Sequence, residues 1–170
     1  INSNDRIIVK GAHPDFSYSF NFNFEYKNFD LSVFLQGVKG RKYHVRDWGA
    51  EPFAQGGAPP TKWLNAWTPD NPTNNLPHVY LWGYAPISNM PSTLYLESGS
   101  YMRVKNVQLG YNFPKSVLNR ISTKGLRVYV SADNLFTFTK FPGSDPERGD
   151  GTYATYPQVR IISGGLNVTL

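Results

Sequence analysis

This sequence predicts an all-β, antiparallel fold of the up-and-down transmembrane barrel type, on three observations. The first is the stretch "FSYSFNFNFEY", residues 16–26, in which every even position is aromatic and the odd ones are small, polar or charged. The second is the chemistry of the polar faces of the predicted strands, which carry Asn, Gln, Ser and Asp but little Lys or Glu, as a confined wet interior requires. The third is the spacing of the connections, short and long in alternation, with aromatics gathered near strand ends as they are at membrane interfaces. A soluble sandwich would also explain alternation, by burying the apolar face against a second sheet. The three observations together favour a wall with lipid on one side and water on the other.

The first strand is expected over about 15–26 and the second over about 29–38, joined by Lys27 and Asn28 alone. A two-residue link demands a tight hairpin turn, with Asn28 suited to the positive φ such turns use. That link sets the pairing: Tyr26 faces Phe29, Phe24 faces Leu31, Phe22 faces Val33 and Phe20 faces Leu35. All eight side chains then share one face. Residues 39–99 show no sustained period, are rich in Pro and Gly, and contain Trp48, Trp63, Trp67 and Trp82. They form a long loop too aromatic to be disordered. Within it "TKWLNAW" suggests a short helix with Trp63 and Trp67, four apart, on one face.

A third strand is expected over about 100–113, with Val107, Leu109, Tyr111 and Phe113 opposed by Asn106, Gln108, Gly110 and Asn112. "PKSVLNRI" reads as a short helix begun by Pro114. The fourth strand, about 126–136, places Leu126, Val128, Val130 and Ala132 against Arg127, Tyr129, Ser131 and Asp133. A second irregular loop spans about 137–157, and the last strand about 158–170. Five strands cannot close a barrel, and open edges in hydrocarbon cost several kcal/mol per unsatisfied backbone group. The chain is therefore expected to be part of a larger barrel. Its opening "INSNDRIIVKG", without an initiator Met or signal-peptide pattern, agrees with that expectation.

Composition excludes other classes. Aromatics make up 15% and charged residues 17%, the latter well under the usual ~25% of soluble domains. Cysteine is absent, which removes disulfides, thiolate metal sites and cysteine nucleophiles together. The formal charge is +5, but Lys and Arg are dispersed, which argues against a nucleic-acid partner. No apolar run approaches the ~18 residues of a membrane helix.

The motifs point further. "HPDFSYSFNFNFEYKNFDLSVFLQG", "WTPDNPTN", "LESGSYMRVKNVQLGYNFPKSVL", "LRVYVSADNLFTFTKFPGSDPE" and "YPQVRIISGGLNVTL" resemble, in order, the C-terminal part of SusC/RagA-type TonB-linked outer-membrane transporters of Bacteroidetes. The resemblance spans essentially the whole chain. It implies the last five or so strands of a barrel of about 22, with the plug domain and energy-coupling box upstream. It further implies an outer-membrane location with the C-terminus toward the periplasm. The implied partners are a SusD-like surface lipoprotein, the TonB complex through the upstream part, outer-membrane lipid, and an oligosaccharide or peptide substrate. Pairing of two transporter–lipoprotein units is a further implication. The sequence departs from the family in ending on Leu170 rather than an aromatic.

No residue is expected to perform catalysis, and no cofactor or metal is implied. Trp48, Trp63, Trp82 and Tyr84 are the candidate substrate-binding residues, since flat aromatic faces stack on sugar rings or peptide side chains. The alternative is that the tryptophans pack the loop against itself, and Trp67 sits in a motif that looks architectural. A soluble or surface β-sandwich binding glycans through these tryptophans is the competing function. Asp145, Glu147 and Asp150 offer carboxylates on a Gly-rich loop that calcium favours, but without the EF-hand spacing. A glycosidase pair built from the same carboxylates is a more remote reading. His13, His44 and His78 lie in separate loops without zinc-binding spacing, and no nucleophile elbow is present. Arg127 and Asp133 are expected to point into the lumen.

Overall fold

The computed structural model of the chain describes residues 3–46, 49–80, 92–148 and 156–170. The elements run β1 (Phe16–Tyr26), β2 (Phe29–Lys39), β3 (Lys42–His44), β4 (Leu96–Ser98), β5 (Tyr101–Asn112), α1 (Lys115–Leu118), β6 (Gly125–Thr139) and β7 (Ile161–Thr169), with short 3-10 turns in the loops. Two compact units divide them. One is a sheet unit of residues Phe16–Lys39, Tyr101–Thr139 and Gln158–Leu170; the other gathers Ile1–Asp15, Gly40–Ser100 and Lys140–Pro157.

The sheet unit is a five-stranded antiparallel meander in the order β1-β2-β5-β6-β7. Its register carries the apolar pattern from strand to strand without a break. One row reads Tyr26, Phe29, Tyr111, Val128 and Leu166; the next reads Phe24, Leu31, Leu109, Val130 and Gly164. Side chains alternate across a strand, so the intervening rows hold the polar residues, such as Asn23, Ser32, Gln108, Ser131 and Ser163. Along β1 successive aromatics on the same face stand in contact, with ring centroids 6.2 Å apart for Phe20 and Phe22 and 6.3 Å for Phe22 and Phe24.

No second layer covers this face among the described residues. Phe22 remains 42% exposed, Phe24 57%, Phe136 53% and Leu166 66%. A sandwich folded from this chain alone would have buried them, and the sheet is instead single-layered among the described residues. The outer edges of β1 and β7 have no strand partner among the described strands. Among the described residues no helix is long and apolar enough to cross a membrane.

Some details depart from the pattern reading. In the β1–β2 turn the left-handed residue is Lys27, at φ 54°, and not Asn28. A positive φ at the first turn position alone satisfies a two-residue hairpin, so the side chain after it need not be special. β6 runs on to Thr139 because an irregularity between Val104 and Asn106 sets two residues of β6, Asn134 and Leu135, against the single Lys105 of β5. Asn134, at φ 52°, takes up the bend, and Phe136 and Phe138 then resume pairing with Val104 and Met102. A bulge of this kind turns a strand without ending it.

The loop unit has its own core despite its lack of period. Tyr43, Val45, Ala50 and Phe141 form one buried cluster; Trp63, Ala66 and Tyr95 form another, with Leu76, Val79 and Leu94 packed against it. β3 pairs with β4 across more than fifty residues of chain, and Val45 N–H donates to Tyr95 O at 2.8 Å. Strands of three residues carry no readable alternation, which is why the sequence shows only a loop here.

Candidate functional site

Two regions carry the functional chemistry: the polar face of the sheet and the surface of the loop unit. On the sheet the most organised group lies near the end where β1 turns into β2 and β5 into α1. Asp30 on β2 accepts from Arg127 Nε on β6 at 3.0 Å, with a second bond from Arg127 Nη2 to the other carboxylate oxygen, and from Asn112 Nδ2 on β5 at 3.0 Å. The pair spans a whole intervening strand. It does so over Gly110, where a Cβ would come within 2.4 Å of Arg127 Nη2 and 2.5 Å of Asp30 Oδ2. The Arg127 guanidinium also lies 5.2 Å from the Tyr129 ring centroid. Tyr129 in turn crosses Gly165 on β7, where a Cβ would meet the ring at 2.6 Å. Glycine at both positions opens the space over which a long side chain bridges neighbouring strands.

Farther along the same face, Asn106 Nδ2 donates to Asp133 Oδ1 at 2.7 Å, and Arg103 Nε to Thr137 Oγ1 at 2.8 Å. Arg127 and Asp133 thus lie on the polar face and are paired across strands. This face presents amides together with cross-strand pairs, Asp30 with Arg127 and Asn106 with Asp133.

The loop unit reorders the predicted binding residues. Trp48, Trp82 and Tyr84 lie outside the described residues. Trp63 is 5% exposed, and its indole Nε1 donates to Ala50 O at 2.9 Å. Its ring is a packing element with no open face for a ligand. The expected helical platform of Trp63 and Trp67 does not form. A 3-10 turn spans only Thr61–Asn65, and Ala66 is already extended at φ −66° and ψ 158°. Trp67 consequently points the other way and is 39% exposed. Its indole is 6.1 Å from the His78 ring, which is 4.9 Å from Tyr80. Sequence reasoning set Trp67 aside as architectural. Its backbone is indeed held, but that holding is what presents the ring.

Beside Trp63, Arg46 and Glu51 form an ion pair at 2.6 Å, with Glu51 6% exposed. The Arg46 guanidinium stands 5.8 Å from the Tyr95 ring. Burial, reinforced by the Glu51 charge and opposed by Arg46, pushes the Tyr95 hydroxyl above its ordinary pKa. Asp145 is fully buried, and its Oδ1 accepts from the Glu147 N–H at 2.9 Å. Tyr43 O–H ties the same turn down by donating to Pro146 O at 2.9 Å. These contacts give Asp145 a turn-forming role; Asp150 lies outside the described residues. Among the described residues no three His, Asp or Glu side chains converge as a metal site would require. His44 packs edge-on to Tyr95, while His13 stays exposed in the first segment.

Comparison with known proteins agrees with this geometry. No family model matches the chain. TonB-dependent receptor P3 of Formosa agariphila is 35% identical over 99% of this chain. TonB-dependent receptor SusC of Bacteroides thetaiotaomicron is 27% identical, also over 99%. The chain spans less than a fifth of these relatives, 18% and 16%. Among solved structures, the RagAB peptide importer in its 'closed-closed' state superposes with a TM-score of 0.76 at 28% identity, covering 95% of this chain and 18% of that one. Across nearly its whole length, the chain is homologous to TonB-dependent receptors of the SusC/RagA type.

Proposed function

We propose that this chain forms part of the wall and the outer loops of an outer-membrane importer. TonB would drive it through a plug domain that lies elsewhere in the protein. Its cargo is an oligosaccharide or peptide, and a SusD-like surface lipoprotein meets its outer loops. The observation that carries this reading is the unbroken apolar face, aromatic along all of β1, exposed on a single-layered sheet whose other face is lined by amides and paired charges. Lipid satisfies the first face and hydrated cargo the second. The Lys27–Asn28 turn and the connection through α1 leave the sheet at one end, and the two long loops leave at the other. We assign the first end to the periplasm and the second to the outside. Nothing in this reading requires bond-breaking chemistry, so the chain is assigned transport and not catalysis.

The test uses the absence of cysteine in this chain, with any cysteine elsewhere in the intact protein replaced. Nitroxide labels at Phe22→Cys and Asn23→Cys, placed in the intact protein in bilayers, should alternate: oxygen-accessible at the first and accessible to a water-soluble nickel chelate at the second. Equal responses at both positions would defeat the proposal.

A further inference from the structure

The loop unit carries an open groove of about 590 Å³ whose walls include Trp67, Asn74, Asn75, His78, Ser92 and Thr93. Among the groove's lining residues none is Asp, Glu, Lys or Arg. One side is formed by the exposed rings of Trp67 and His78, 6.1 Å apart, and Tyr80, 4.9 Å from His78, continues the row beyond the groove's lining. The row is fixed from below. Trp67 N–H donates to Leu76 O at 3.1 Å, Thr68 and Asn71 exchange two backbone bonds of 3.2 Å and 3.1 Å, and Asn71 Nδ2 reaches Ala66 O at 3.4 Å. Ala66, Leu76 and Val79 turn inward to the Trp63–Tyr95 cluster. The segment therefore alternates, with apolar residues toward the core and rings toward solvent. Exposed amides of Asn74 and Asn75 border the row.

We infer that this groove is a contact site for an uncharged saccharide unit of the cargo, with Trp67 as its stacking plate. A neutral sugar ring offers a flat face of C–H bonds, which an aromatic plate receives, and a rim of hydroxyls. Asparagine amides suit that rim because each both donates and accepts. A peptide with charged side chains or termini would find no counter-charge among these walls. A plate held in place before binding loses little freedom when the ligand arrives. The inference rests on the import reading and specifies the cargo chemistry at one place in it.

Calorimetry on the intact detergent-purified protein tests it, with maltoheptaose, laminarihexaose and xylohexaose as neutral saccharides and a blocked Ala/Gly heptapeptide as control. The expected result is binding of at least one saccharide, weakened about tenfold or more by Trp67→Ala and largely kept by Trp67→Phe. The Trp67 bond to Leu76 is through the backbone, so the melting temperature of Trp67→Ala should stay near that of the parent. Saccharide affinity unchanged in Trp67→Ala overturns the inference. So does Trp67-dependent binding of the blocked peptide alone, or no binding of any probe by the parent. Membrane fractionation of the same protein decides the import reading separately: a protein found in the outer membrane with an inert groove loses only the inference.

Discussion

The two units use aromatic residues in opposite senses. In the sheet the rings of Phe20, Phe22, Phe24 and Phe29 face outward and stay about half exposed. In the loop unit Tyr43, Trp63, Tyr95 and Phe141 are nearly sealed. The difference separates two ways of handling apolar surface. A unit that must persist in water turns its rings inward and closes hydrogen bonds around them, as Trp63 does with Ala50 O and Tyr43 with Pro146 O. A unit that turns them outward either meets an apolar solvent or does not persist alone.

The sharpest way to break this contrast is Trp63→Ala. Removing a buried indole costs about 3–5 kcal/mol, and here it also leaves Ala50 O without its donor. The loop unit should become sensitive to limited proteolysis between residues 46 and 80 while the barrel still resists heating in detergent. Loss of the barrel together with the loop would show that the two units do not differ as described.

Phe22→Arg attacks the other side. A charge at the middle of a lipid-facing strand costs about 2–4 kcal/mol, whereas Asn23→Arg, one residue along on the polar face, should be tolerated. Urea unfolding of the intact protein from bilayers measures both. Comparable losses at the two positions would remove the distinction between the faces. A third, smaller effect concerns the bridge over Gly110. A double-mutant cycle on Asp30→Asn and Arg127→Met should return a coupling of about 1 kcal/mol. A Gly110→Val substitution, forcing the two groups apart, should reproduce most of that loss without touching either charge.

How much of this was legible in the sequence follows the same division. The Lys27–Asn28 link fixed the register of β1 against β2 because an aromatic face tolerates no one-residue slip. The rows through Val33, Val107 and Ala132 then continued it. The bulge at Lys105 and Asn134 was hidden, since an extra residue in each strand changes no composition. In the loop unit, the pairing of Tyr43 with Glu97 and the meeting of Arg46, Glu51 and Tyr95 join residues far apart in sequence through elements too short to have a period. The reversal of Trp63 and Trp67 has a single local cause. The four-residue spacing places two side chains together only in an α-helix, and here the turn is 3-10 and stops at Asn65.

The smallest effect lies in the loop unit and depends on pH. The folded state holds the Tyr95 hydroxyl protonated beyond its ordinary pKa of about 10, chiefly through burial and secondarily through the Glu51 carboxylate. Below that value both folded and unfolded chains keep the proton, and Tyr95 makes stability independent of pH. Above it the unfolded chain releases the proton while the folded one still binds it. Stability must then fall as pH rises, until the folded hydroxyl also ionises. The loop unit should thus loosen above about pH 10, seen as faster cleavage by an alkaline-tolerant protease. Tyr95→Phe should flatten that part of the profile and leave the neutral-pH rate nearly unchanged, since the ring and its packing remain. A profile identical in Tyr95→Phe would assign the alkaline sensitivity to other groups. It would also deprive the Arg46–Glu51–Tyr95 cluster of the electrostatic role given to it here.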